Sequence, residues 1–328
     1  MLKVSITDQL PRLGPDITRR YLRAGYRLIG AHSGIQICRW TRAALTGQRH
    51  CYKRWYGVES HRCLQLTPAL QFCNLRCVFC WRIHSPDRYK PQRTWDSPSL
   101  ILDNAISAQR KLLSGFKANP HVTQKRFEEA LKPRHVAISL DGEPTLYPMI
   151  EDLIQEIRNR RMSSFLVTNG TMPERLIGIV KHNSEPTNLY VSLCGPDRLT
   201  YQNVSRPLVP DTWDRICASL RVMSRFVNSR TILRLTLVKG QNMHAPRGYS
   251  RLVAIANPML VELKGYSWLG ESKHRLPIGA MPFHTEVREF AKRIEDGTGY
   301  RAIAEDEVSR VVVLARDTSS TEFTLDVQ

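Results

Sequence analysis

The 328-residue sequence has no apolar run near the roughly 18–20 residues that a membrane-spanning helix needs. Its N-terminus lacks the basic, apolar and small-residue segments of a secretory signal. With only eight cysteines in a long chain, a disulfide framework of the kind that holds small secreted domains together is also excluded. We therefore expect a cytoplasmic protein without a membrane partner, whose cysteines are reduced.

Acidic residues are scarce, since 30 Asp and Glu stand against 48 Lys and Arg, which gives a net charge of +18. The excess is concentrated in residues 1–66, where twelve basic and three acidic residues give +9. Such a basic region favours a polyanionic partner, because Lys and Arg neutralise phosphates and release counterions. Nucleic acid is therefore the predicted partner, and a generic solvated surface is the alternative.

From residue 64 onward, short apolar runs alternate with amphipathic helical patterns, which is typical of parallel β–α units. The predicted strands are Leu64–Leu70, His135–Asp141, Ser164–Thr168, Asn188–Leu193, Thr231–Val238 and Met259–Lys264. The predicted helices are Pro98–Phe116, Met149–Arg160, Pro173–His182, Thr212–Val227, Gly248–Ala256 and Thr285–Glu295. Six units predict an α/β fold with an incomplete (β/α)6 barrel, because eight would close a full one.

The predicted domain organisation has three parts. Residues 1–63 do not share the β–α rhythm and are predicted to form a basic helical extension. Residues 64–300 form the partial barrel, and residues 301–328 a C-terminal tail whose strand, Val308–Ala315, is expected at an edge of the sheet.

Three cysteines with C-x3-C-x2-C spacing, Cys73, Cys77 and Cys80, directly follow the first predicted strand. This position is the carboxyl end of the sheet, where α/β folds place their active sites. Three thiolates in such a loop can ligate three irons of a 4Fe–4S cluster and leave the fourth iron open to chelate S-adenosylmethionine (SAM). The alternatives are a zinc site completed by His84 and chance clustering.

This loop, with Phe79 in the aromatic position before the last cysteine, resembles the radical-SAM signature. Motifs at the ends of later strands are similar to those with which that superfamily contacts SAM, although each could also be an ordinary turn. The resemblance implies contacts to SAM from Phe79, Gly142, Glu143, Pro144, Thr168, Asn169 and Ser192.

Cys38, Cys51 and Cys63 form a second, more widely spaced triplet. They could converge on a second cluster with an open iron, or they could be scattered buried cysteines, since Cys is often buried.

Six segments resemble the family of 4-demethylwyosine synthases, which act in wyosine modification of tRNA. They are CYKRWYG (51–57), SHRC (60–63), CNLRCVFCWR (73–82), SLDGEPTLYP (139–148), LVTNG (166–170) and VELKGY (261–266). The similarity runs from about residue 30 to residue 300. The sequence departs from the family in an eleven-residue gap before Cys63 where twelve are expected, and it resembles the archaeal single-domain form.

The family resemblance implies a reaction, its cofactors and its partners. N1-methylguanosine beside the anticodon of phenylalanine tRNA would condense with pyruvate to give 4-demethylwyosine, with loss of the pyruvate C1 carboxyl. Two 4Fe–4S clusters, SAM and an external one-electron reductant are implied, in a monomeric lyase. A radical derived from SAM would remove hydrogen from the N1-methyl group.

Pyruvate can be held in two ways, and the sequence leaves both open. The open iron of the second cluster could chelate it, or Lys53 could form a Schiff base with its ketone. Lys264, at the end of the sixth predicted strand, is the other lysine placed for chemistry.

Aromatic and Arg side chains beside the cysteines are candidates for stacking on splayed RNA bases, namely Arg54, Trp81 and Arg82. Two rival functions stay open: a radical-SAM enzyme acting on another RNA position or on a small molecule, and a nonenzymatic zinc-binding RNA adaptor.

Overall fold

The structure, a computed structural model, describes residues 13–85 and 94–316. Within these ranges the chain divides into two compact units, which we call the first unit (13–72 and 94–165) and the second unit (73–85 and 166–316). Each unit contains helices and a mixed set of strands. The predicted domain boundaries after residues 63 and 300 stay predictions.

The strands of the first unit begin with a hairpin that the sequence analysis did not predict. β1 (Tyr26–Ile29) and β2 (Ser33–Gln36) pair antiparallel, and β2 pairs antiparallel with β3 (Cys63–Thr67). β3 then pairs in parallel with β4 (His135–Ile138). The prediction of a wholly helical N-terminal extension is therefore wrong, because this segment adds two short strands to the sheet.

The helices of the first unit lie between and around these strands. They are α1 (Pro15–Arg23), α2 (Arg39–Leu45), α3 (Pro98–Leu113), α4 (Gln124–Ala130) and α5 (Ile150–Asn159). α3 and α4 begin where the sequence supplies a hydroxyl cap, since Ser97 and Thr123 accept hydrogen bonds from backbone N–H groups of the first turn. The division between the units falls within β5 (Ser163–Thr168).

The second unit contains a parallel set of strands extended by an antiparallel pair. β6 (Asn188–Leu193), β7 (Arg230–Leu237) and β8 (Leu260–Gly265) are parallel neighbours. β10 (Val311–Ala315) pairs antiparallel with β8 on one side and with β9 (Arg301–Asp306) on the other. The predicted C-terminal strand is therefore present but is not at an edge, because β9 covers its outer side.

The helices of the second unit are α6 (Pro173–Lys181), α7 (Arg198–Ser205), α8 (Thr212–Val222), α9 (Pro246–Ala256) and α10 (His284–Thr298). α8 ends before its predicted limit, where the chain tightens into a 3-10 turn, Met223–Arg225. Within the described ranges, no helix has the length and apolar character to cross a membrane.

Candidate functional site

The loop that carries Cys73, Cys77 and Cys80 presents three thiols that form no disulfide with any other described residue. Cys73 is buried, whereas Cys77 and Cys80 are partly exposed. A hydrogen bond of 3.1 Å from the Cys80 backbone N–H to the Cys77 carbonyl closes the turn between the last two cysteines. The loop thus offers soft sulfur ligands at three separate positions, the donor set that an iron–sulfur cluster requires.

Several hydrogen-bond donors face this loop, as is expected around anionic thiolates. The Asn169 amide Nδ2 donates to Cys73 Sγ at 3.8 Å. The Arg275 guanidinium donates to the Val78 carbonyl at 3.2 Å and also to the Cys80 carbonyl. Donors to cluster sulfurs and a nearby cation tune and stabilise such a centre. Sequence reasoning missed Arg275, which lies far along the chain.

The arrangement of possible metal ligands bears on what the loop could bind. In the described part of the chain, no three His, Cys, Asp or Glu side chains are grouped so that they could hold one metal ion. A 4Fe–4S cluster places each thiolate on a different iron, so its ligands need not converge on one point. Three thiols in one loop remain compatible with the cluster predicted from the sequence.

The loop after β4 is fixed by backbone contacts to the segment that precedes the cysteine loop. The Glu143 backbone N–H donates to the Phe72 carbonyl at 2.7 Å, and the buried Glu143 carboxylate accepts from Thr145 N–H and Oγ. Gly142 has a φ of +70°, and a Cβ there would lie 1.9 Å from the Ala69 carbonyl oxygen. Only glycine fits this position, and Pro144 then starts a short 3-10 turn.

We expect Gly142→Ala to disrupt this loop, because the added methyl collides with backbone as well as straining φ. The free energy of unfolding should fall by more than about 3 kcal/mol, and SAM affinity should be lost. Gly240→Ala is the matched control, since Gly240 has a φ of +75° but no atom near the added methyl. It should cost only about 1 kcal/mol. Equal losses in urea unfolding would contradict the assigned collision.

The N-terminal segment reaches the same loop. Tyr21 of α1 and Tyr26 of β1 donate their hydroxyls to the Asp141 carboxylate, at 3.2 and 3.5 Å. The Thr67 hydroxyl donates to the Asp141 carbonyl at 2.5 Å. The basic segment is therefore joined to the predicted SAM motif through buried hydrogen bonds, a link that the sequence analysis did not find because the partners are far apart in the chain.

The loop after β5 contacts the cysteine loop. Besides its bond to Cys73, the Asn169 amide donates to Asn74 Oδ1 at 2.9 Å, and Asn74 donates to Thr171 Oγ1 at 2.6 Å. The Thr168 hydroxyl accepts from the Gly170 N–H at 3.0 Å. Two of the predicted SAM-contact positions are thus held beside the first cysteine.

A polar row crosses the parallel strands of the second unit. Ser192 on β6 is aligned with Arg234 on β7, which is aligned with Glu262 on β8. Arg234 Nε lies 2.7 Å from a carboxylate oxygen of the fully buried Glu262, and its guanidinium lies 4.5 Å from the Tyr190 ring centroid. Sequence reasoning found only Ser192. Arg234 and Glu262 could have been predicted as site residues, because each is a charged residue inside an otherwise apolar strand.

The upstream cysteines come together in the first unit. Burial is the main cause that raises the pKa of the Cys63 thiol to about 12. The neighbouring thiols of Cys38 and Cys51 raise this pKa further, whereas the positive charge of Lys53 lowers it. All three residues therefore lie within electrostatic range of the Cys63 sulfur. Lys53 Nζ lies 4.8 Å from the ring centroid of Phe165, a buried residue of β5. This lysine points toward the strand rather than toward bulk solvent.

The remaining predicted positions differ in their surroundings. Lys264 on β8 donates to the Ser309 carbonyl at 3.1 Å, which ties it to the turn between β9 and β10. Arg54 is exposed, and Trp81 is 43% exposed. Arg82 is buried, with its guanidinium carbon 3.3 Å from the Trp81 ring centroid. Phe79 is partly exposed within the cysteine loop.

Two family models match the chain. Residues 68–252 match the radical SAM superfamily, and residues 255–316 match the wyosine base formation family. The chain is 46% identical over 310 residues to the SAM-dependent tRNA 4-demethylwyosine synthase of Pyrococcus abyssi, covering 94% of this chain and 90% of that protein. It is 38% identical to the protein of that name from Arabidopsis thaliana, of which it spans 49%.

Two solved structures share the fold over nearly the whole chain. A structure of TYW1 with a lysine–pyruvate adduct bound has a TM-score of 0.83 and 30% identity, covering 93% of this chain and 96% of that one. Archaeal TYW1 has a TM-score of 0.77 at 28% identity, with the same coverage of both chains. With its cysteine loop and its mixed α/β fold, this chain belongs to the tRNA 4-demethylwyosine synthase family of radical-SAM proteins.

Proposed function

We propose that this chain is a tRNA 4-demethylwyosine synthase that condenses N1-methylguanosine, next to the anticodon of phenylalanine tRNA, with pyruvate. Two pyruvate carbons enter the third ring of the base, and loss of C1 makes the enzyme a carbon–carbon lyase. The reaction needs an external one-electron reductant, and we assign it to a cytoplasmic monomer. Family membership and the 46% identity to a named synthase support this assignment.

The residues that would hold the cofactors form two sets. Cys73, Cys77 and Cys80 would ligate the cluster that binds SAM, and Cys38, Cys51 and Cys63 a second cluster. When bound, the first cluster and SAM supply the oxidant that removes hydrogen from the N1-methyl group. Contacts to SAM would come from Phe79, Gly142, Glu143, Pro144, Thr168, Asn169 and Ser192.

Lys53 is the residue that we propose to hold pyruvate. Its amine would add to the ketone carbon C2, and the ketone oxygen would leave as water, so that an imine fixes the donor carbons. The observation that carries this proposal is the placement of Lys53 against Phe165, within electrostatic range of the Cys63 thiol. The related structure with a lysine–pyruvate adduct supports the same chemistry. Lys264, whose amine donates to the Ser309 carbonyl, is the second candidate.

Exposed groups near the cysteine triplets would contact the RNA. Trp81 offers an accessible ring for stacking and Arg54 an exposed cation, whereas Arg82 would act by holding the Trp81 ring. We propose that residues 1–63 serve as a basic RNA-binding extension to the catalytic part, 64–300, which is followed by a C-terminal part, 301–328.

The experiment that tests the function is conversion of tRNA by the anaerobically reconstituted protein. Phenylalanine tRNA that carries N1-methylguanosine is incubated with SAM, pyruvate and dithionite, and its nucleosides are analysed by mass spectrometry. 4-Demethylwyosine should form only when all components are present. SAM cleavage with no pyruvate-dependent product would favour a radical-SAM enzyme of another substrate, and no brown chromophore after reconstitution would favour the zinc adaptor.

A further inference from the structure

A cavity of about 670 Å³ lies between α10 and β9, and a second one, of about 490 Å³, has Arg76 of the cysteine loop in its lining. We call the second cavity the arginine pocket. It lies entirely within the second unit and is lined by Arg76, Arg198, Arg206 and Trp213, together with the Pro207–Pro210 segment. No residue predicted from the sequence to bind RNA or SAM lines it. Its volume is within the range of ligand sites, which run from about 300 to 1,000 Å³.

The cysteine loop forms one wall of the arginine pocket. The Arg76 backbone N–H donates to the carbonyls of Ser205 and Arg206, both at 3.0 Å, and the Leu208 N–H donates to the Asn74 carbonyl at 2.9 Å. Arg76 directly precedes the proposed cluster ligand Cys77. A molecule held in this pocket therefore touches the segment that carries the cluster ligands.

The lining of the pocket carries three arginines and one carboxylate, that of Asp211, so its net charge is positive. Arg198 forms a two-point ion pair with Asp214, at 2.7 and 3.1 Å, so its charge is largely balanced. Arg206 is exposed and makes no ion pair with any residue of the described ranges. It adopts a left-handed backbone conformation, with a φ of 45°, at the end of α7.

An aromatic ring accompanies these cations. Trp213 is half-buried at the start of α8, with its ring centroid 5.5 Å from that of the buried Tyr201. The contact with Tyr201 holds the indole in place at the pocket wall. Arginine beside a fixed aromatic ring is the combination by which proteins bind single-stranded nucleic acid, because the cation takes the phosphate and the ring stacks on a base.

We propose that the arginine pocket binds one nucleotide of the single-stranded RNA substrate, with Arg206 on a phosphate and Trp213 stacked on a base. This inference rests on the proposed function, since it assigns the place where RNA flanking the target base is held. The net charge of +18 favours RNA over a neutral or cationic ligand. Contact through the Arg76 wall places the bound strand against the cluster loop.

The test uses the reconstituted enzyme and the N1-methylguanosine tRNA, with affinity measured across a salt series. Arg206→Gln should weaken binding about tenfold at low salt and reduce the slope of log affinity against log salt by roughly 0.7 to 1. Arg206→Lys should restore the slope, because the charge returns. Trp213→Ala should weaken binding about tenfold or more and leave the slope unchanged, since stacking releases no counterions.

Arg225→Gln is the matched control, because Arg225 is an exposed arginine of the same unit that lines no wall of the arginine pocket. It should leave affinity and slope at the wild-type values. SAM cleavage without tRNA should be equal in all variants, which shows that each one folds and holds its cluster. If wild type forms product while Arg206→Gln binds tRNA as wild type or no worse than Arg225→Gln, the pocket is not an RNA site. If wild type forms no product but the Arg206 effects persist, the pocket binds RNA and the proposed reaction is wrong.

Discussion

Lys53→Ala should abolish 4-demethylwyosine formation while SAM cleavage persists. The imine tethers pyruvate beside the methyl carbon, and loss of such a tether should lower product formation by at least about a thousandfold. The lysine is not among the proposed cluster ligands, so 5′-deoxyadenosine should still be produced. Both products are measured in one anaerobic reaction, by nucleoside analysis and by chromatography of the small molecules.

Lys53→Arg separates a covalent role from a merely electrostatic one. Arginine keeps the cation near Phe165 but cannot form an imine with pyruvate, so it should be as inactive as alanine. Borohydride with labelled pyruvate should leave a covalent adduct on Lys53 in wild type and none in either variant. Product formation by Lys53→Arg, with a pyruvate-dependent change in the cluster spectrum and no trapped adduct, would instead favour chelation by the second cluster.

Substitution of one cysteine from each triplet should give two different losses. Cys77→Ala should reduce the iron content from about eight to about four per chain and should abolish SAM cleavage. Cys51→Ala should lose a similar amount of iron but should still cleave SAM, while forming no 4-demethylwyosine. We expect this difference because the Cys77 loop contacts the proposed SAM-contact residue Asn169 through Cys73.

Cys217→Ala is the control for both cysteine variants. Cys217 lies on α8, is partly exposed, and belongs to neither triplet. Its replacement should leave iron content and both activities unchanged. An iron content of about four per chain in wild type, unchanged in Cys51→Ala, would show that the protein binds no second cluster. Cys38, Cys51 and Cys63 would then be structural thiols.

The strands of the parallel series were predictable because at least half of the residues in each strand are apolar and each strand is followed by a helical pattern. Asn188–Leu193 matches β6 at both ends, and the strand predicted over His135–Asp141 is present as the shorter β4. The β1–β2 hairpin was not predictable in the same way. Its strands have four residues each and include Arg27 and Gln36, so they lack the hydrophobic periodicity that identifies a strand.

The residues of the candidate site also differ in how well the sequence predicts them. Cys73, Cys77 and Cys80 are found from their spacing alone, because their ligand geometry is local. Arg275, by contrast, contacts the Cys80 carbonyl across 195 positions of the chain. Tertiary contacts of this kind depend on strand order and register, which a single sequence does not encode as a local pattern.

The alignment of Arg234 with Glu262 also depends on register, since a shift of either strand by one residue would place the two side chains on opposite faces of the sheet. The sequence shows two charges within apolar strands, but their pairing appears only in the folded chain. The arginine pocket was even less predictable from the sequence, because its lining combines Arg76 of the cysteine loop with residues more than a hundred positions later in the chain.

Transfer of pyruvate carbons into tRNA is the measurement that tests the proposed synthase most directly. Wild-type enzyme is incubated with SAM, reductant and N1-methylguanosine tRNA, and with pyruvate labelled either at C1 or at C2 and C3. We predict that the C2 and C3 labels both appear in the modified nucleoside and that the C1 label does not. Active SAM cleavage with no pyruvate carbon in the tRNA, or retention of the C1 label, would contradict the proposed reaction.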